Sequence, residues 1–483
     1  MSTNHSVQKR ASNSDSISGM TISNSGIPMA NVSNRTKTLS DDTGASSAPV
    51  VHDDDDKVWF SENFFSKEPS TSRARALYLK IVFGTSFMIT VFIMTVLPIY
   101  WGALWKVPSH VHNLKGWIVD FDGAQMGQFV TQAFISSSGL PTRMTWEVVS
   151  PDRFPNGQAD IIDLLVHEHT WAIVAINPGA TNSFNSSIAS TNGSYNGSSA
   201  VTIYTEEARS ENAYNQIIKP NVEIVMKNAS SIFAASSTNQ LALGGRNLSN
   251  IAINAPQLLS APLYYTVYNT RPFDVPVAAA VDFVGLIYLL IVAFVTSLVN
   301  TVARTDVTHI EDRLRFRSLM LARAIVPILI YFYLSCFFSM ISLAFQAPFN
   351  RTFGHSGFVI YWMLSWIAMC ALGLAVEAMV TLITVRFIPF FLILWIIGRL
   401  LLIPNVSVCF MPISVLPRVY RYGYAMPFYN VQRAVRTIVF NTKNDLGLNF
   451  GVLIAWSLIS LMTMTLFQYM ARRRAIKQHV ESI

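Results

Sequence analysis

Apolar segments long enough to cross a bilayer fall along this chain in an uneven rhythm. One stands alone, a polar stretch of roughly 175 residues follows, and five more are packed closely together. The expected spans are 77–101, 275–299, 319–345, 357–384, 388–411 and 447–470. Runs this apolar on every face would need a very large protein around them to serve as buried soluble helices. The rhythm therefore predicts an α-helical integral membrane protein with six transmembrane helices in a 1+5 layout. An α/β extracytoplasmic domain, 102–274, separates helices 1 and 2. The residues before Leu77 are too polar for a signal peptide, so the first span reads as an uncleaved anchor.

Lysine and arginine near the span ends set the sidedness. Arg73, Arg75 and Lys80 precede or open the first span, Arg304, Arg313, Arg315 and Arg317 lie between the second and third, and Arg386 lies between the fourth and fifth. Arg472, Arg473, Arg474 and Lys477 open a basic tail, 471–483. Threading puts all of these on one side, so both termini are expected in the cytosol. The connection before the last span breaks the rule, with Arg418, Arg421, Arg433, Arg436 and Lys443 on the outer side. There Phe428, Val431, Val435, Ile438 and Val439 recur at helical spacing, which predicts either an amphipathic helix on the membrane surface or a solvated loop helix.

The net charge of +7 does not signal nucleic acid. The outer domain holds nine basic and twelve acidic residues, and the excess sits beside the spans, where it meets membrane lipid. Residues 1–70 have the polar composition of a disordered tail. All three cysteines, Cys336, Cys370 and Cys409, fall in expected spans, so no disulfide is expected in the outer domain. That domain reads as strands at 117–121, 145–149, 161–166, 171–176 and 201–204. Helices are expected from a cap at Asp122 to Phe134, over 206–227 and over 231–242, with a flexible loop at 182–199.

Catalytic and cofactor chemistry finds little support. There is no phosphate-cradling G-x-x-x-x-G-K-[ST] run, so any ATP must be bound by another chain. Asp120, Asp122 and Gly123 spell D-x-D-G, explained by a strand-to-helix turn, and His167-Glu168-His169 on a strand would supply only two metal ligands. No enzyme, cofactor or metal site is expected. The chemistry left is inside the bilayer, where ionisable groups are costly and mark function or pairing. The candidates are Asp282, Glu377 and Arg399, with Glu377 and Arg399, at similar depth on adjacent spans, as candidates for an ion pair. Arg323 and Asp282 lie near span ends, within reach of the interface. Pro327, Pro389, Pro404 and Pro412 predict kinked spans.

The run Val415-Leu-Pro-Arg-Val-Tyr-Arg-Tyr-Gly-Tyr-Ala-Met-Pro-Phe-Tyr-Asn430, with Tyr361-Trp-Met-Leu-Ser-Trp366 and Ala371-Leu-Gly-Leu-Ala-Val-Glu377, resembles the fungal nitrosoguanidine-resistance family of membrane proteins. The likeness runs from about Phe64 to the C-terminal arginines. That family is similar to type-two ABC exporter permeases of the phage-infection-protein kind. The resemblance implies a permease-like protein contributing to toxic-compound resistance or plasma-membrane lipid organisation, with an endomembrane site as the alternative. A homodimer, a separate ATPase or another transporter are the implied protein partners. The second reading is a non-transporting regulator or scaffold acting on other transporters and lipid asymmetry. No catalytic residue is carried over.

The expected sidedness exposes five N-x-[ST] sites to glycan transfer: Asn185, Asn192, Asn196, Asn228 and Asn247. Asn4, Asn31 and Asn34 should stay bare in the cytosol. Glycosidase treatment should sharpen and lower the band of the full chain, and Asn→Gln changes within the outer set should account for the whole shift. A glycan on any of the three tail asparagines would reverse the sidedness.

Overall fold

The computed structural model describes residues 63–383 and 409–481. Of the described residues, 63–77 belong to a small unit of their own, in which the Arg75 guanidinium donates to the Phe64 and Ser66 carbonyls. The first long helix, α1 (Pro69–Trp105), contains Pro98 and ends with Trp101 and Trp105 exposed, the aromatic signature of a membrane interface.

The α/β domain follows. Its sheet comprises β1 (Lys115–Asp120), β2 (Thr145–Val149), β3 (Ala172–Ile176), β4 (Val201–Thr205) and β5 (Tyr265–Asn269), in the order β2-β1-β3-β4-β5. β1 pairs parallel with β2 and β3, β4 runs antiparallel to β3, and β5 pairs parallel with β4. The central strand β3 is buried along its whole length, as its Ala-Ile-Val-Ala-Ile sequence requires for a strand covered on both faces. Helices α2 (Gln125–Ser137), α3 (Gln158–Val166), α4 (Ala180–Ser190) and α5 (Lys219–Leu243) supply that cover.

Several local expectations fail here. Residues 161–166 are helical within α3, with Ile161 and Leu165 facing the sheet one turn apart. The serine- and asparagine-rich stretch holds helix α4, because Phe184 and Ile188 recur at helical spacing and bury against the core. The two helices expected over 206–227 and 231–242 are replaced by one long α5, entered through a π turn at Tyr214–Ile218. Asp122 does not cap α2; its carboxylate takes the N–H and hydroxyl of Thr181 at 3.1 and 2.5 Å. Asp120 instead closes the turn, accepting the N–H groups of Asp122 and Gly123.

Four further helices complete the described fold's long membrane elements, apart from one short helix between the last two. They are α6 (Gly285–Val302), α7 (Phe316–Ala344), α8 (Ser356–Ile383) and, after α9 (Pro427–Phe440), α10 (Leu446–Glu481). Among the described residues five helices are long and apolar enough to cross a membrane: α1, α6 with its flanking turns, α7, α8 and α10. The expected fifth span, 388–411, lies outside the described residues except for its last three. Helix α8 is central, packing on α6, α7 and α10. Its close approach to α7 needs Gly373, where a Cβ would collide with the buried Tyr331 ring, whose hydroxyl reaches the Ala293 carbonyl on α6. Trp366 adds a hydrogen bond from α8 to the Ile328 carbonyl of α7 at 3.0 Å.

Candidate functional site: two charged layers joined by one span

Helix α6 is flanked by two π turns, Ala280–Val284 next to the α/β domain and Ala303–Val307 at the far end of the bundle. Such turns recur at functional sites because they re-aim side chains within a helix. Here each one presents an ionisable residue, Asp282 at the domain end and Arg304 at the far end.

At the far end, Glu377 of α8 is fully buried. Its Oε1 lies 2.9 Å from Arg304 Nη1 and 3.2 Å from Arg323 Nε, while its Oε2 accepts from the Ser297 hydroxyl at 2.8 Å. Arg323 also donates to the Glu377 carbonyl at 2.9 Å, to Thr381 at 2.7 Å and to Gln468 of α10 at 2.5 Å. Glu311 completes the layer, accepting from Arg304 and Gln468 at 2.7 Å each. Two arginines and two glutamates cancel, which is what a low-dielectric layer demands of buried charge.

The expected partner of Glu377 was Arg399, which lies outside the described residues. The partners described are Arg304 and Arg323, and Arg323 is a core residue instead of an interfacial one. The signal was countable. Arg323 sits seven residues after the start of α7 and Glu377 six before the end of antiparallel α8, so the two share a depth.

At the domain end, α9 is wedged between the α/β domain and the spans. The helix expected over this segment is present, but it neither floats on the membrane nor stands in solvent. Asn430, Gln432 and Thr437 are buried along with its apolar residues. Asp282 accepts from Arg436 Nε at 2.5 Å and from Gln432 at 3.0 Å, so it too is buried and paired. Arg436 also donates to the Arg209 carbonyl at 2.6 Å. Arg433 lies 2.9 Å from Glu168 in the domain and 2.8 Å from Asp445. Arg209 stacks on Trp171 at 3.6 Å and donates to the Thr170 carbonyl at 2.7 Å. A cavity of about 160 Å³ lies among Glu168, Trp171, Arg209, Tyr429, Arg433 and Arg436.

Two features of this layer are costly. Glu168 occupies a left-handed conformation (φ 65°) at the end of α3, where the Glu168 and His169 N–H groups turn back to Leu165 and Leu164. Glycine is the usual occupant of that position, and another residue costs about 1 kcal/mol or more. A glutamate there carries its carboxylate to Arg433. His167-Glu168-His169 is thus a helix cap, not a strand, and among the described residues no group of three or more metal-ligating side chains assembles. The second feature is Glu206, which the sequence did not single out. It is 3% exposed, and neither carboxyl oxygen has a hydrogen-bond partner.

Burial pushes the Glu206 carboxyl up to about 8, helped by Glu168 and opposed by Arg209, Arg271 and Arg433. For Arg433 burial works the other way, yet Glu168, Tyr429 and Asp445 outweigh it and hold the guanidinium charged.

The fold and these two layers define an integral membrane protein with an α/β domain clamped to its helix block. The family described as "Protein of unknown function (DUF3533)" matches residues 85–462, and the chain belongs to it. It is also similar to the uncharacterised endoplasmic reticulum membrane protein YJR015W of Saccharomyces cerevisiae, 28% identical over 445 residues that cover 87% of this chain and 85% of the relative. No solved structure matches the chain.

Two predictions follow from the layers. Replacing Glu377 by Ala strands Arg304 and Arg323 and should destabilise the detergent-purified protein by about 3–5 kcal/mol. Adding Arg323→Met should recover part of the loss, and a single variant melting like the parent would refute the pairing. For Glu206, the folded value of about 8 lies above the ordinary 4.5, so the folded chain keeps a proton that the unfolded chain releases. Its contribution to stability therefore falls as pH rises from about 4.5 to about 8 and levels off above that. Glu206→Gln should flatten this slope in melting curves taken across that range; identical slopes in the two proteins would mean the carboxyl is ionised.

Proposed function

We propose that this chain is a permease-like membrane protein that moves, or shields the cell against, hydrophobic compounds or lipid, with the α/β domain and the spans acting together through α9. One observation carries the reading. Neighbouring arginines on α9 hold the two parts at once, Arg433 to Glu168 of the domain and Arg436 to Asp282 at the head of α6. A domain that merely decorated a bundle would not need a strained glutamate and buried charge at its attachment. The resemblance to exporter permeases supports the same reading. It also favours a homodimer around a shared pathway, with energy from a separate ATPase, since no phosphate-cradling motif occurs in the chain.

The long polar tail, 1–70, favours a second reading, a regulator or scaffold that acts by binding other transporters. The name of the yeast relative favours the endoplasmic reticulum over the plasma membrane as the site of action.

The deciding experiment reconstitutes purified protein in liposomes, with and without candidate ATPases, and follows fluorescent lipid across the bilayer. Movement should occur, fall several-fold in Glu168→Gln, and survive deletion of residues 1–70. A chain that moves no lipid or hydrophobic probe under any of these conditions, yet loses its cellular effect with the tail, is the scaffold.

A further inference from the structure

On the α/β domain, away from both charged layers, α2 and α5 diverge to leave an open groove of about 470 Å³, within the ~300–1,000 Å³ range of small-ligand sites. Its walls are apolar and wet. Phe129, Ala133, Leu140, Ile224 and Ile232 line it, with Leu140 and Ile232 each 59% exposed and Ile224 43% exposed. Contiguous exposed apolar surface of this kind marks an interaction site more often than scattered single residues do. The polar lining is sparse and one-sided in charge. Arg143 is its one ionisable residue, and among the described residues its guanidinium has no hydrogen-bond or ion-pair partner. Of the domain's other arginines, Arg153 and Arg209 stack on tryptophans and Arg271 donates to the Asn441 carbonyl, whereas Arg246 stands exposed outside this groove.

The position of the groove indicates what fills it. The chain leaves α1 past Trp101 and Trp105 and turns through Val107–Asn113 before entering the sheet. The His112 N–H in that turn donates to the Pro141 carbonyl, and Thr145 donates its hydroxyl to the His112 carbonyl. Leu140 and Arg143 flank this contact, so the cationic end of the groove is tied to the segment that connects the first span to the domain. Apolar walls for a chain, an unpaired guanidinium for a head, and a cationic end tied to the segment that leaves the first span are complementary to a membrane lipid.

We propose that the α2–α5 groove binds an anionic phospholipid of the adjacent bilayer leaflet, an acyl chain against Phe129, Leu140, Ile224 and Ile232 and the phosphate on Arg143. Binding here goes beyond the permease reading and does not require it, because a regulator that senses leaflet charge would use the same groove. Asn228 lines the groove as well, so a glycan at that site is the competing occupant.

The test uses the full chain in nanodiscs containing a photoactivatable phosphatidic acid or, in parallel, phosphatidylcholine with the same chains, before and after glycosidase treatment. Crosslinked peptides are mapped by mass spectrometry. Peptides spanning Phe129–Arg143 and Ile224–Ile232 should be labelled several-fold more by the acidic probe. Arg143→Gln should remove the preference for the acidic probe, and Ile232→Glu, at an exposed position, should remove labelling by both while the melting temperature holds. Labelling confined to the spans, equal labelling by the two lipids, or a groove silent both with and without glycans each overturns the proposal. Lipid movement in liposomes is a separate readout, so absence of transport with groove labelling intact would count against the permease reading alone.

Discussion

A carboxylate held out of water among packed spans must be neutralised where it stands, and in this protein that requirement falls on Glu377. Its two oxygens take Arg304 from the end of α6, Arg323 from α7 and Ser297 from α6. Arg323 passes the constraint on to α10 through Gln468. The apolar faces of these helices are built from Leu, Val, Ile and Phe, and such faces tolerate sliding and rotation. The ion network does not, because a shift of one turn would leave buried charge unpaired. A buried ion pair is weak evidence for net stability and better evidence for a specified arrangement. In that sense Glu377 is the residue that sets the register of the spans.

The domain end solves a different problem. The α/β domain takes Met411, Ile413, Val415, Leu416 and Tyr420 from the segment before α9 into its core, so apolar contacts already tie it to the bundle, and what remains to be supplied is a specified orientation. Helix α9 supplies it by burying polar residues that only partners from both sides can satisfy. Arg433 looks to the domain and Arg436 to the span, with Gln432 bridging Asp282 and the Cys409 carbonyl. Glu206, pushed by burial toward its protonated form and without a hydrogen-bond partner, marks where the layer is least satisfied. Ionising it would set a new anion against Glu168 for the same arginines.

How much of this could be read from the sequence depends on the range of the interactions involved. Long apolar segments declare themselves, because crossing a bilayer is a local property of about 20 residues. The helix at α9 was legible from its periodicity, but its surroundings were not. Its arginines find acids 265 and 154 residues away, and no local pattern encodes that. Short apolar runs misled in the expected way, since 161–166 fits either period and a buried strand and a buried helix look alike at that length. Composition misled at α4, where Phe184 and Ile188 outweigh the serines between them. The edge strand β5 went unseen because its exposed Tyr-Thr-Val-Tyr-Asn carries little of the apolar pattern of a core strand. Of the site residues, Asp282 and Glu377 were visible as charges within apolar segments. Glu206 was invisible, and Glu168 drew notice only within a rejected metal motif, because their oddity is one of conformation and burial.

The two layers are not independent, because α6 belongs to both. Asp282 and Arg304 are 22 residues apart on one nearly continuous helix, about 33 Å at ~1.5 Å per residue and close to the ~30 Å thickness of a hydrocarbon core. The charges thus sit near the two borders of the apolar layer, where neutralising them is least expensive, and the span between them carries none. Each border residue rises from a π turn, a place where a helix can gain or lose a residue of winding without breaking. Rearrangement of the α9 clamp would bear on Asp282 and hence on the upper turn of α6. The Glu377 network would feel it only through the rotation or sliding of that one helix. Coupling between the domain and the far end therefore has a material path of a single span, with a charged contact and an adjustable turn at each end.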